Sequence, residues 1–201
     1  MNKEAGSPSS YDPVMRAVHW ATLVLVAAAF AAVWIADPAL VGSYARPVVQ
    51  VHRSLGLTVA ALTVFRLGWR WRARIPALPG DLPAVQRIAA RAAEGLIYVL
   101  LIAQPAVGLL YTNTYGLRVN VFFLGELPAV VARDRVLAAQ LGDIHSLLGY
   151  SLLALIGVHA AAALFHHVVR RDGVLLTMVP SRLHAAMEHL RWPSRRSKLA
   201  Q

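Results

Sequence analysis

Charges along this chain are gathered into clusters that bracket long apolar runs. The longest run, Ile144 to Val169, holds 26 residues without Asp, Glu, Lys or Arg. At about 1.5 Å per residue a helix of that length covers about 39 Å, enough to cross a hydrocarbon core of about 30 Å. Ala17 to Ala36 is a charge-free run of 20 between Arg16 and Asp37. It is too long for the apolar region of a signal peptide, so it reads as a first spanning helix. A second helix is expected from about Val48–His52 to Trp71; Ser54 to Phe65 is free of charge, with Arg66 and Arg70 snorkelling to the interface. Gly95 to Leu117 is the third span, with a kink expected at Pro105.

The segments between are polar. Met1 to Pro13 reads as a disordered tail, Asp37 to Pro47 as a short loop, and Arg72 to Arg91 as a connector broken by Pro76, Pro79 and Pro83. Arg118 to Asp143 reads as a longer loop with a short amphipathic helix after Pro128. Arg170 to Gln201 is a basic tail, helical from Ser181 to Trp192 and lying at the interface. The organisation expected is therefore a tail (1–13), a four-helix membrane unit (14–180) and a basic tail (181–201).

Composition agrees with the membrane class: 57% of the 201 residues are hydrophobic and the mean hydropathy is +0.52. With no cysteine, disulfides, thiolate metal sites, iron–sulfur clusters and covalently attached haem are all excluded. A net charge of +10 invites a nucleic-acid reading, but the basic residues flank apolar spans instead of forming a patch, so no nucleic acid is expected. Four spans place both termini on one side. Of the 20 Lys and Arg, 15 fall on that side, and only Arg46, Arg53, Arg118, Arg133 and Arg135 on the other. The positive-inside rule then puts both termini in the cytoplasm.

Histidines within the spans are the candidate chemistry, because ionisable groups at membrane depth are costly and mark function. His145 and His159 are 14 residues apart, about 1400° of helix and some 40° short of four turns. They share one face, about 21 Å apart. The topology sorts four histidines into an outer pair, His52 with His145, and an inner pair, His19 with His159. His166, seven beyond His159 on the same face, competes for the inner position, since depth counted from the flanking arginines favours it. Zinc or copper would need three or four ligands converging within a few ångströms, which 21 Å forbids, whereas two bis-histidine haems b fit. Gly56 and Gly149 each lie four residues after a histidine, on its own face, where a missing side chain lets a flat ligand approach. Glycine-mediated helix packing explains them equally well.

The stretches AVHW (17–20), VHRSLG (51–56), IHSLLGY (144–150) and GVHAAAALFHHVVRRDGVLLTMVP (157–180) resemble the bacterial cytochrome b561 family. The resemblance implies an all-α, four-helix, multi-pass protein of the bacterial inner membrane carrying two haems b. It implies His19, His52, His145 and His159 as axial ligands, with His166 and His167 outside the set. Similarity to stand-alone members of the family implies electron transfer from superoxide to ubiquinone, with no protein partner required.

Both axial positions would then be filled, so chemistry runs through the haem edge. Arg46, Arg53, Arg118, Arg133 and Arg135 could steer the superoxide anion, or anchor helix ends and pair with haem propionates, as expected for Arg53 beside His52. Candidate quinone contacts by residue type are Trp20, Trp69, Trp71, Tyr111 and Tyr150. Two alternatives compete. One is an electron-transfer and anchor subunit linking a periplasmic dehydrogenase or hydrogenase to the quinone pool; the other is a colourless histidine-lined proton or metal channel.

Overall fold

The computed structural model describes residues 10–36 and 38–188. Four long helices account for most of it: α1 (Pro13–Ile35), α2 (Ala45–Arg70), α3 (Ala84–Thr114) and α4 (Arg135–Phe165). Each belongs to a segment long and apolar enough to cross a membrane. One end of the bundle, the basic end, holds the 71–83 connector and both described chain ends. The far end holds the turn near residues 36–44 and the 115–134 loop.

Helix starts follow local chemistry. Asp12 caps α1, its Oδ1 accepting from Val14 N at 2.8 Å and Met15 N at 3.3 Å, with Pro13 in the first turn where its missing N–H costs nothing. Of the tail expected over 1–13, residues 1–9 lie outside the described residues. Tyr11 and Asp12 are held, Tyr11 N donating to Thr177 O at 3.0 Å. The connector is shorter than its prolines suggested, because α3 begins directly after Pro83 and runs unbroken through Pro105.

The largest departure is at α4. It starts at Arg135, capped by Asp134, whose Oδ1 accepts from Val136 N at 2.9 Å and Leu137 N at 3.0 Å. No separate amphipathic helix follows Pro128, and the loop ends well before Asp143. That carboxylate is exposed inside a continuing helix, so its charge interrupts hydropathy without interrupting hydrogen bonding. The loop instead carries an Asn120–Glu126 bridge and a turn at Val121–Phe123. It leaves α3 through Gly116 (φ +90°), where Leu117 N reaches Thr112 O at 3.0 Å and Gly116 N reaches Asn113 O at 2.8 Å. After α4 a π-helical turn, His166–Arg170, ends at left-handed Arg171. Ser181–Leu183 and His184–Glu188 are helical, and the rest of the tail helix expected to Trp192 lies outside the described residues.

Outward faces are apolar: Val24, Trp34, Phe65, Val99, Leu147 and Val158 are exposed, as a lipid-facing surface requires. Inside, one residue from each helix meets in a central cluster of Val26, Val59, Leu101 and Leu152. Pairings α1–α2 and α3–α4 are extensive and α2–α3 less so, while α4 makes little backbone contact with α1 or α2. A gap is thus left facing α4.

Candidate functional site

The central cluster sets the depths of everything around it. Val26, Val59 and Leu152 each lie seven residues, two turns, after His19, His52 and His145, and His159 lies seven after Leu152. Histidines therefore occur in two tiers on either side of an apolar plug, at about 10 Å from its level. His52 faces His145 across the α4 gap at the far end, with ring centroids 6.1 Å apart. His19 faces His159 at the basic end, at 6.4 Å. The continuous α4 carries one histidine of each tier.

Those separations suit edge-to-face packing and also leave room for an ion between the rings. Two metal–nitrogen bonds of about 2.0 Å, plus roughly 1.1 Å from each ring centre to its nitrogen, give about 6.2 Å for an ion held between two imidazoles. Among the described residues no third His, Asp or Glu joins either pair to make a metal-binding cluster. Each pair therefore brings two imidazoles together across the bundle with no further described His, Asp or Glu beside them.

At the far end His52 and His145 line a cavity of about 440 Å³, within the range of ligand pockets. His52 Nδ1 lies 2.7 Å from the Ala29 carbonyl, which can only accept, so Nδ1 carries the proton and the lone pair falls on Nε2. His145 Nε2 lies 3.3 Å from Gln104 Nε2, while its Nδ1 and Gln104 Oε1 are buried without partners. Such orphaned buried groups mark a site that expects a ligand. Gly108, which the spacing argument did not find, lets the His145 ring lie against α3: a Cβ there would stand 2.8 Å from His145 Cε1. Gly149 is buried, and its Cβ would meet Gln104 Nε2 at 3.0 Å, whereas a Cβ on Gly56 would meet only Pro105 Cβ at 4.0 Å, which is ordinary contact.

The basic-end pair is less enclosed, with His19 half-buried and His159 exposed. Arg66 corrects an expectation: it does not snorkel outward but turns in, Nη1 lying 3.2 Å from His19 Nδ1 and its guanidinium carbon 5.3 Å from the Tyr98 ring centroid. Arg70 pairs with Glu94 at 2.7 Å.

His166 stands apart from both tiers. Its Nδ1 contacts the Asp172 carboxylate, which also takes Arg170 Nε at 3.2 Å, while Arg170 Nη2 reaches Asp81 at 2.8 Å. His167 is fully buried, with Nε2 donating to Met187 O at 2.9 Å. His166 and His167 tie the end of α4 to the segment that follows it, and Arg170 ties it to the connector.

The far-end arginines do not converge. Arg53 is half-buried and lines the cavity. Arg46, Arg118, Arg133 and Arg135 are exposed, Arg118 lying 3.7 Å from Glu126 and the Arg133 stem lying over Gly116. Of the aromatic candidates, Tyr111 and Tyr150 line the far-end cavity. Trp20 donates to Met178 O at 2.9 Å and Trp69 to Asp12 at 3.2 Å, while Trp71 is fully exposed.

A family model described as prokaryotic cytochrome b561 matches residues 10–181, which contain both histidine tiers. The chain belongs to the prokaryotic cytochrome b561 family. It is 29% identical over 177 residues to cytochrome b561 homolog 2 of Escherichia coli, covering 86% of this chain and 93% of that protein. It is 30% identical over 173 residues to the probable superoxide oxidase CybB of Yersinia pestis, covering 86% and 97%. Cytochrome b562 of Cereibacter sphaeroides is 34% identical over 149 residues, covering 73% of each chain. As a cytochrome b561, this is a multi-pass bacterial membrane protein of the electron-transfer class that binds haem b, and the paired histidines match that cofactor's need for axial nitrogens.

Proposed function

We propose that this cytochrome b561 holds two haems b and passes electrons from superoxide at the far end to ubiquinone. The observation that carries the two-haem reading is the pair of cross-helix histidine contacts, at 6.1 and 6.4 Å, one on each side of the plug. His52 and His145 would hold one haem, and His19 and His159 the other, within a unit spanning residues 14–180. When bound, each haem supplies a one-electron couple at its exposed edge.

The chain's residues do the rest. With two histidines on each haem iron, no coordination position would be left for a substrate, which would restrict the chemistry to outer-sphere transfer. The Ala29 carbonyl fixes the His52 ring and its tautomer, and Gly108 makes room for His145. Val26, Val59, Leu101 and Leu152 place a buried apolar layer between the two tiers and offer no group that could carry a proton. In balance, two superoxide ions are oxidised to two dioxygen molecules, and their two electrons with two protons reduce ubiquinone to ubiquinol. The far-end arginines raise the local concentration of the anion. The positive-inside distribution supports an inner-membrane protein with both termini in the cytoplasm and the far end in the periplasm. Superoxide as donor is supported by the likeness to the Yersinia pestis protein, whose alignment covers 97% of that chain.

The test is stopped-flow spectroscopy of the purified, oxidised protein mixed with superoxide, with and without a ubiquinone analogue. Rapid appearance of reduced b-type bands, cleared by quinone, is expected. Haem bands that ignore superoxide yet respond to quinol would favour an electron-transfer subunit for a periplasmic dehydrogenase. A colourless protein would end both readings.

A further inference from the structure

Arg66 is out of place for a membrane helix. It lies seven residues beyond the plug residue Val59 and is half-buried. Its guanidinium stays charged at any physiological pH and can only donate. Among the described residues it forms no ion pair, because Glu94 is held by Arg70 through both oxygens, at 2.7 and 3.3 Å. The Tyr98 ring at 5.3 Å steadies the cation without neutralising it. Arg66 Nε and the Tyr98 hydroxyl are both buried without a hydrogen-bond partner.

The acceptor that Arg66 does use is His19 Nδ1, at 3.2 Å. A neutral imidazole that offers Nε2 to a metal carries its proton on Nδ1, and such a nitrogen cannot accept. Once His19 serves as an axial ligand, Arg66 therefore loses its acceptor and needs another. A second idle donor, the buried Tyr98 hydroxyl, belongs to the ring that Arg66 covers. Two donors, one permanently cationic, with no acceptor of their own make a receptor for a carboxylate. A haem b held by His19 and His159 would bring two propionate carboxylates to this end of the bundle.

We infer that Arg66 and Tyr98 form the carboxylate-binding site of the basic-end haem, seating one propionate and so orienting that haem between His19 and His159. The inference rests on the proposed His19–His159 ligation. Arg66 is a positioning residue in this scheme: it touches the cofactor's side arm and takes no part in electron transfer. It differs from Arg53, which lines the far-end cavity, in being turned onto a ligand histidine.

The experiment uses the full-length chain carrying His52→Ala, so that only the basic-end site remains, stripped of haem and titrated with haem b or with its dimethyl ester. Charge-assisted hydrogen bonds in a buried site predict about 10- to 100-fold tighter binding of the free acid than of the ester. Arg66→Gln should bring that ratio close to one, Tyr98→Phe should reduce it in part, and Arg66→Lys should retain most of it. Equal weakening of both forms by Arg66→Gln would assign the residue a merely structural role and overturn the inference. An unchanged ratio would overturn it as well, leaving Arg66 to another anion such as a lipid phosphate. Because the ratio is internal to each protein, partial loss of folding does not mimic the expected result. In the unaltered two-haem chain, a carboxylate band in the redox-induced infrared difference spectrum should shift in Arg66→Lys; a band that stays fixed would count against the site. Retention of a bis-histidine spectrum at this site after His19→Ala would instead overturn the ligation on which the inference rests.

Discussion

At the residue scale, the tiers make separable predictions. His52→Ala or His145→Ala should lose the far-end haem, and His19→Ala or His159→Ala the other. The haem-to-protein ratio, read by pyridine haemochromogen, falls from two to one in each case. His166→Ala should keep both, since His166 is occupied by Asp172 outside the tiers. If His159→Ala kept two haems and His166→Ala did not, the ligand assignment would be wrong. Gly108→Val is a sharper probe, because it alters no ligand. Its Cβ would stand 2.8 Å from the His145 ring, and the γ-carbons occupy the ring's own volume. Loss of the far-end haem with the other retained is expected, seen as a halved haem ratio and one low-spin signal in the electron paramagnetic resonance spectrum.

At the scale of elements, the helix ends carry the local stability. Asp12 caps α1 and also accepts from Trp69 Nε1 at 3.2 Å on α2, so it joins two helices at the basic end. Asp12→Ala should cost about 1–2 kcal/mol from the cap and the lost cross-helix bond, measurable as a lowered thermal midpoint in detergent with haem content unchanged. Asp12→Asn should recover most of it, because an amide oxygen still caps. The element boundaries show what a one-dimensional reading misses. Spans are found where hydropathy is unbroken, but helices end where backbone hydrogen bonding ends. The α4 helix runs through Asp143 back to its Asp134 cap, and α3 continues past Pro105. Gly116, by contrast, signals its helix end in the sequence through the one residue type that accepts φ +90° freely.

At the scale of the whole molecule, the plug is the joint through which all four helices communicate. Leu152 is 3% exposed and lies midway between the two histidines of α4. Leu152→Ala should destabilise the bundle by about 2–5 kcal/mol, with both haems loosened together, because the lost volume is shared by both tiers. Thermal melts followed at the haem bands would show a single lowered midpoint; loss confined to one haem would argue against a shared core. The proposed steering of superoxide is also a property of the molecule as a whole. Its bimolecular rate should fall as salt rises from 0.01 to 0.5 M, roughly as the Debye length shrinks. A salt-independent rate would remove the far-end arginines from the mechanism.

What this chain's sequence determined by itself is what depends on composition and period. Three charge-free runs of 20 residues or more and a shorter one flanked by arginines, each longer than a barrel strand needs, require four spanning helices, since lipid requires every backbone group to be bonded within the span. A 14-residue spacing on one helix requires two tiers, since about four turns return a side chain to the same face. Tertiary structure alone decided which side chains meet across the bundle. Depth counting from flanking arginines favoured His166 opposite His19. In the fold, the π turn and Asp172 draw His166 away, and His159 faces His19 at 6.4 Å. Gly108 and Gln104 lie on α3, which carries no tier histidine, so no spacing rule connects them to His145. Arg66 looked like a residue of the interface because hydropathy registers only its charge. Its inward turn follows from where α1 and α3 place His19 and Tyr98, and a linear pattern holds no record of contacts between helices.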